Sequence, residues 1–155
     1  FGNVGVGTYR TLTENAAEIR ARVGATVSVR RIAVARPDAP RPVETPPGTL
    51  TGDPYEVIND PDIAIVCEVI GGIEPAREYV LAALRNGKHV VTANKELLAR
   101  HGAELLAGAD AHGVSLLFEA AVAGGIPIIR PLLTSSPPTA SNAWKASSTA
   151  PPTSY

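Results

Sequence analysis

Residues 63–95 read IAIVCEVIGGIEPAREYVLAALRNGKHVVTANK, and the succession of textures in that stretch decides the fold. Ile63 to Ile70 is almost continuously apolar, the pattern of a strand covered on both faces. Within such a run a small residue like Cys67 reads as buried filler rather than as a reactive thiol. Gly71-Gly72 breaks the strand, Glu74 to Asn86 carries helical spacing, and Gly87 stops it. His89 to Thr92 is then a second short buried strand. Strand, helix and strand in so few residues make a parallel crossover unit, because an antiparallel return needs no helix.

The alternation continues in both directions. Downstream, Glu96 to Ala111 is helical with Leu97, Leu98, Leu105 and Leu106 as its inner face, and Val114 to Glu119 is a further strand. Upstream, Val6, Tyr9, Leu12, Ala16, Ile19 and Val23 fall at steps of three or four, one face of a helix that Gly24 ends. Thr26 to Ala35 is rich in β-branched residues and reads as a strand. Pro37 to Pro47 is a loop, and a short helix sits between the Asp-Pro pairs at 53 and 60. The chain therefore predicts an α/β, Rossmann-like doubly wound parallel sheet.

Composition narrows the partners. Fourteen basic residues against fifteen acidic ones give no field for nucleic acid, and no apolar run nears the roughly 20 residues that span a bilayer. A single cysteine excludes an internal disulfide and suits a reducing compartment, so a cytoplasmic protein is expected, with neither nucleic acid nor membrane as partner.

Chemistry concentrates at the ends of the expected strands. The opening residues FGNVG place Gly2 and Gly5 just before a helix. In a dinucleotide-binding turn the middle glycine lets the backbone approach the pyrophosphate, and the last lets helix and strand pack closely. The first glycine of G-x-G-x-x-G and the strand ahead of it do not precede Gly2 in this sequence, so the sheet is expected to lack its first strand. After the second strand comes AVARPDAPR, with Arg36 where an acid would hold the ribose hydroxyls. That leans toward NADP over NAD, the alternative being a solvated loop of mixed charge. Ligands of open α/β sheets bind outside the carboxyl ends of strands, which selects Gly71, Thr92 and Lys95. Lysine occurs only at 88, 95 and 145, and an ammonium at a helix start opposes the helix dipole. Lys95 is thus a ligand contact or a plain surface lysine. Glu119 closes the last strand before AAVAGGIP, where a carboxylate among exposed carbonyls is either a cation site or a solvated helix entry.

Taken together, IGGIEPAREYVLAALRNGKHVVTANKELLARHG followed by FEAAVAGGIPIIRPL resembles the cofactor-binding domain of homoserine dehydrogenases, and GNVG resembles that family's G-x-G-N-V-G turn. The resemblance runs from Phe1 to about Leu133. It implies NAD(P)H-dependent reduction of aspartate semialdehyde to homoserine, on the way to threonine and methionine, in a parent that is a homodimer or homotetramer. It puts Gly2, Asn3, Val4 and Gly5 against the cofactor diphosphate and Lys95 beside nicotinamide and substrate as one of two important lysines. It assigns Glu119, Val122, Gly124 and Ile126 to a sodium or potassium site, the last three through carbonyl oxygens.

The family's second, catalytic domain, with its N-G-T-x-N motif, is not readable here. Residues 134–155 are instead a low-complexity tail in which 14 of 22 residues are Ser, Thr or Pro. Such a composition is expected to be disordered. Its WKASSTAPPT is what DNA for a Val-Glu-Gly-Ile-Val-Asn-Gly-Thr-Thr-Asn stretch can encode one nucleotide out of frame, so the tail is expected to be a frameshift product. The chain is then a fragment with domain 1–133, inactive alone. A non-catalytic nucleotide-binding module or a scaffold domain is the alternative.

Overall fold

The computed structural model describes residues 1–124 and 126–131 of the 155. The expectations placed on Thr134 to Tyr155 fall outside the described residues.

Two helices open the chain, α1 (Asn3–Glu14) and α2 (Ala16–Val23), followed by the short strands β1 (Ile32–Ala33) and β2 (Leu50–Thr51). The one-turn helix α3 (Tyr55–Ile58) leads to β3 (Ile65–Glu68), α4 (Ala76–Arg85), β4 (His89–Thr92), α5 (Lys95–Ala111) and β5 (Leu116–Leu117), and a 3-10 turn at Glu119–Ala121 follows. Every strand pair is parallel, as the alternation requires. The strands form two groups, β1-β2 and β3-β4-β5, and among the described residues nothing pairs with the second edge of β1 or of β3.

The core belongs to the second group. Val80, Ala83 and Leu84 of α4 interlock with Leu97, Leu105 and Ala109 of α5 over Val90 and Leu116, all nearly sealed from water. Gly108 makes that approach possible, since a Cβ there would already touch Leu81 and Leu84 at 3.5 and 3.6 Å. Asn94 caps α5 by accepting the Leu97 amide at 3.1 Å, and Gly87 leaves α4 through a left-handed turn at φ 72°. Lys88 is buried. Its ammonium donates to the carbonyls of Asp60 and Ile63, both at 2.6 Å, and so ties the β3 entry loop to the start of β4.

Several expectations need correction. The run at 63–70 is not covered on both faces: Ile65 is 55 % exposed and Cys67 is open to solvent. Cys67, Val91 and Leu117 stand in register across β3, β4 and β5, and that row lies on the face away from the α4–α5 core. Partial desolvation by the surrounding chain nevertheless pushes the Cys67 thiol above its ordinary pKa. The single helix expected to end at Gly24 is two, divided at Asn15, whose amide stays bonded to the Thr11 carbonyl while its φ and ψ of −105° and 22° leave the helix. Of its supposed inner face only Val6 is buried. Leu106 points outward, because Leu105 and Ala109 already fill the seam with α4. The strands expected over 26–35 and 114–119 pair only at Ile32–Ala33 and Leu116–Leu117.

Candidate functional site

Three segments meet at the carboxyl ends of the strands. The first is the start of α1. Gly2 is its N-cap in extended backbone, no side chain caps the exposed amides, and nothing lies within 4 Å of where a Gly2 Cβ would be. The helix start is therefore open to a ligand, with its positive dipole end outward. Asn3, Val4 and Gly5 form the first turn. A Cβ on Gly5 would meet Phe1 at 3.2 Å and Val69 at 3.5 Å, so the glycine lets α1 sit against the end of β3.

Basic side chains gather beside this turn. Arg41 stacks over the Phe1 ring at 6.0 Å and donates to the Arg36 carbonyl, and Arg10 donates to the Pro42 carbonyl at 3.0 Å. A cleft runs between Phe1, Gly2, Asn3, Val6, Gly7, Arg10 and Pro42. Arg36 itself is exposed in the bend after β1. This side of the site is suited to an anion.

The second and third segments are the loop after β3 and the entry to α5. Gly71 and Gly72 take φ of 82° and 72°, conformations that strain any residue with a Cβ. Lys95 is the first residue of α5 and is exposed, free of ion pairs among the described residues. Thr92 differs from its neighbours in this group. It is completely buried, its hydroxyl donates to Glu68 at 2.5 Å and accepts the Asn94 amide at 3.0 Å, and so its side chain faces the interior.

Glu68 joins the two loops. Its carboxylate, 3 % exposed, accepts the Ile70 amide at 2.7 Å and the Gly71 amide at 3.4 Å besides the Thr92 hydroxyl. Asn94 closes the ring from the other side, donating to the Gly72 carbonyl at 2.6 Å and lying 3.5 Å from Glu68. The sequence placed Glu68 at a strand end but gave it no role. Alternation along β3 was the available signal, since it puts Glu68 with Val66 on the face toward α4.

Glu119 bonds to a different segment. Its two carboxylate oxygens accept the amides of Ile129 and Arg130, at 2.9 and 3.2 Å, so it caps the helical turn that follows Pro127. The intervening turn holds Ala123 and Gly124 at φ of 57° and 63°. Val122, Gly124 and Ile126 are on that turn.

Residues 1–119 match the family described as homoserine dehydrogenase, NAD binding domain. Curated homoserine dehydrogenases of Corynebacterium glutamicum and Bacillus subtilis are 52 % and 45 % identical over 133 and 132 residues, 85 % of this chain. The chain spans about 30 % of their length. A solved homoserine dehydrogenase from Thiobacillus denitrificans is 51 % identical and superposes with a TM-score of 0.76, covering 85 % of this chain and 30 % of that one. One from S. aureus reaches 0.74 at 41 % identity, over 80 % and 31 %.

Proposed function

The chain belongs to the homoserine dehydrogenase family through its NAD-binding domain, and from that premise we propose that it is the cofactor-holding part of an enzyme reducing L-aspartate 4-semialdehyde to L-homoserine. The observation that carries the reading is the convergence of the open α1 start, the Gly71-Gly72 loop and Lys95 at one end of the parallel strands, linked through Gly5–Val69 and Asn94–Gly72 contacts. Gly2, Asn3, Val4 and Gly5 hold the diphosphate with backbone amides, and Arg36 pairs with a 2′-phosphate, which makes NADP the preferred form. Gly71, and Thr92 through its backbone, border the nicotinamide end.

The bound cofactor supplies a hydride for the aldehyde carbon. Lys95 stands where its ammonium can orient the aldehyde and stabilise the alkoxide that develops. Glu119 with the carbonyls of Val122, Gly124 and Ile126 holds Na+ or K+. The substrate pocket and second lysine belong to a further domain of a homodimeric or homotetrameric parent in the cytoplasm, and 1–133 is the domain on this chain. Residues 134–155 are then a frameshifted reading of that parent's next segment. Restoring one frame near codon 134 should expose N-G-T-x-N.

The test is NADPH oxidation with aspartate semialdehyde. The frame-restored protein should turn over, and the 155-residue chain should not. A frame-restored, folded protein with no such activity overturns the proposal.

A further inference from the structure

We infer that Glu68, Thr92 and Asn94 act as one positioning unit, locking the Gly71-Gly72 loop to the start of α5 and so setting where Lys95 stands relative to the cofactor. The inference concerns how the proposed site is held together and rests, for its catalytic consequence, on the function proposed above.

Three facts carry it. First, the unit is sealed: Glu68, Thr92 and Asn94 are 3 %, 0 % and 5 % exposed. A carboxylate taken out of water needs compensation, and here two amides and a hydroxyl provide it. Second, its bonds run between loops rather than within one. Glu68 receives the Ile70 and Gly71 amides of one loop and the Thr92 hydroxyl of the other, while Asn94 crosses back to the Gly72 carbonyl. Third, the same Asn94 side chain caps the helix whose first residue is Lys95. Lys95 therefore inherits its place from the glycine loop through one amide group.

A purely local reading would have each bond steady only its own turn. The two separate on a long-range effect. Thr92→Val keeps shape and strand preference but removes the hydroxyl, whereas Thr92→Ser keeps it. In the 155-residue chain, hydrogen exchange should quicken about tenfold in Thr92→Val at the Ile70 and Gly71 amides and at Leu97, the loss expected for one buried charge-assisted bond. The Val90 amide, bonded to the Ser115 carbonyl on the same strand, should not change, and Thr92→Ser should match the parent. Glu68→Gln, which keeps volume, should give the same pattern.

In the complete dehydrogenase, Glu68→Gln should raise KM for NADPH and lower kcat, each about tenfold, while Tm falls by only a few degrees. Loosening confined to residues 92–94 overturns the inference. So do loosened loops with unchanged kinetics, and global unfolding by both Thr92→Val and Glu68→Gln. If the parent enzyme shows no NADPH-dependent activity, the functional proposal fails, while the exchange pattern still decides whether the two loops are coupled.

Discussion

Single side chains at the site separate specificity from chemistry. Arg36 is exposed beside the basic edge of the α1 cleft, where a charge-assisted bond to phosphate contributes about 1.5–3 kcal/mol. Arg36→Ala in the complete enzyme should therefore weaken NADPH binding about tenfold or more and leave NADH nearly unchanged. Cofactor titrations check this, and equal losses for both would return Arg36 to a solvated loop. Among the described residues Lys95 has no hydrogen-bond or ion-pair partner to lose, so Lys95→Ala should cut kcat while thermal unfolding stays within a degree or so. Unchanged turnover would make it a surface lysine. Gly5 is constrained by space alone. Gly5→Val would press Phe1 and Val69 apart, and we expect lower stability together with weaker cofactor binding in one measurement series.

At the scale of elements, α4 and α5 are joined by a surface fork as well as by their core. Arg77 donates to both oxygens of Glu104, at 2.8 and 2.5 Å, with Glu74 at 3.3 Å on its other side. The guanidinium holds the Glu104 carboxyl below its ordinary 4.5. A carboxyl depressed in the folded state contributes stability that is present above its unfolded value and disappears as pH falls through the folded one. Arg77→Gln should thus narrow the urea-midpoint difference from the parent as pH drops below about 4.5, and widen it again toward neutrality. A gap independent of pH would mean the fork contributes only packing.

The elements also show what sequence could reveal. His89–Thr92 was readable to the residue, because four residues held between Gly87-Lys88 and the Ala93-Asn94 turn leave little room for error. α5 was readable within one residue, since its apolar period persists over four turns. β2 was not. Leu50–Thr51 follows a proline-rich loop, and two residues carry no period. The break at Asn15 was hidden because apolar spacing continued across it, although asparagine readily leaves helical geometry. For the site, glycines and Lys95 declared themselves by type and place. Glu68, Thr92 and Asn94 work as a unit through burial and cross-loop bonding, which pattern along one strand does not disclose.

Across the whole molecule, the two strand groups set expectations for stability. Among the described residues, nine of the thirteen buried apolar side chains sit between α4, α5 and β3-β4-β5, while α2 buries none. Leu84→Ala should cost about 2–5 kcal/mol because it empties the middle of that core. The same substitution should hardly alter protection around β1-β2, which contacts α3 and the loops instead.

That division of the strands also bears on how melting should be described. A continuous sheet would force every layer to be lost together, whereas among the described residues the two groups share no strand pairing and meet through α3, which contacts both β1 and α4, through Asn86 on Ile58 and Asn59, and through the Arg30 ion pairs to Asp60 and Asp62. Surface pairs of this kind contribute about 0–1 kcal/mol each. Scanning calorimetry of the 155-residue chain should accordingly give a van't Hoff enthalpy smaller than the calorimetric one, the mark of a transition in more than one step. A segment that bridged β1 and β3 would bring the two enthalpies together, so their ratio is a direct gauge of whether the sheet has become one body.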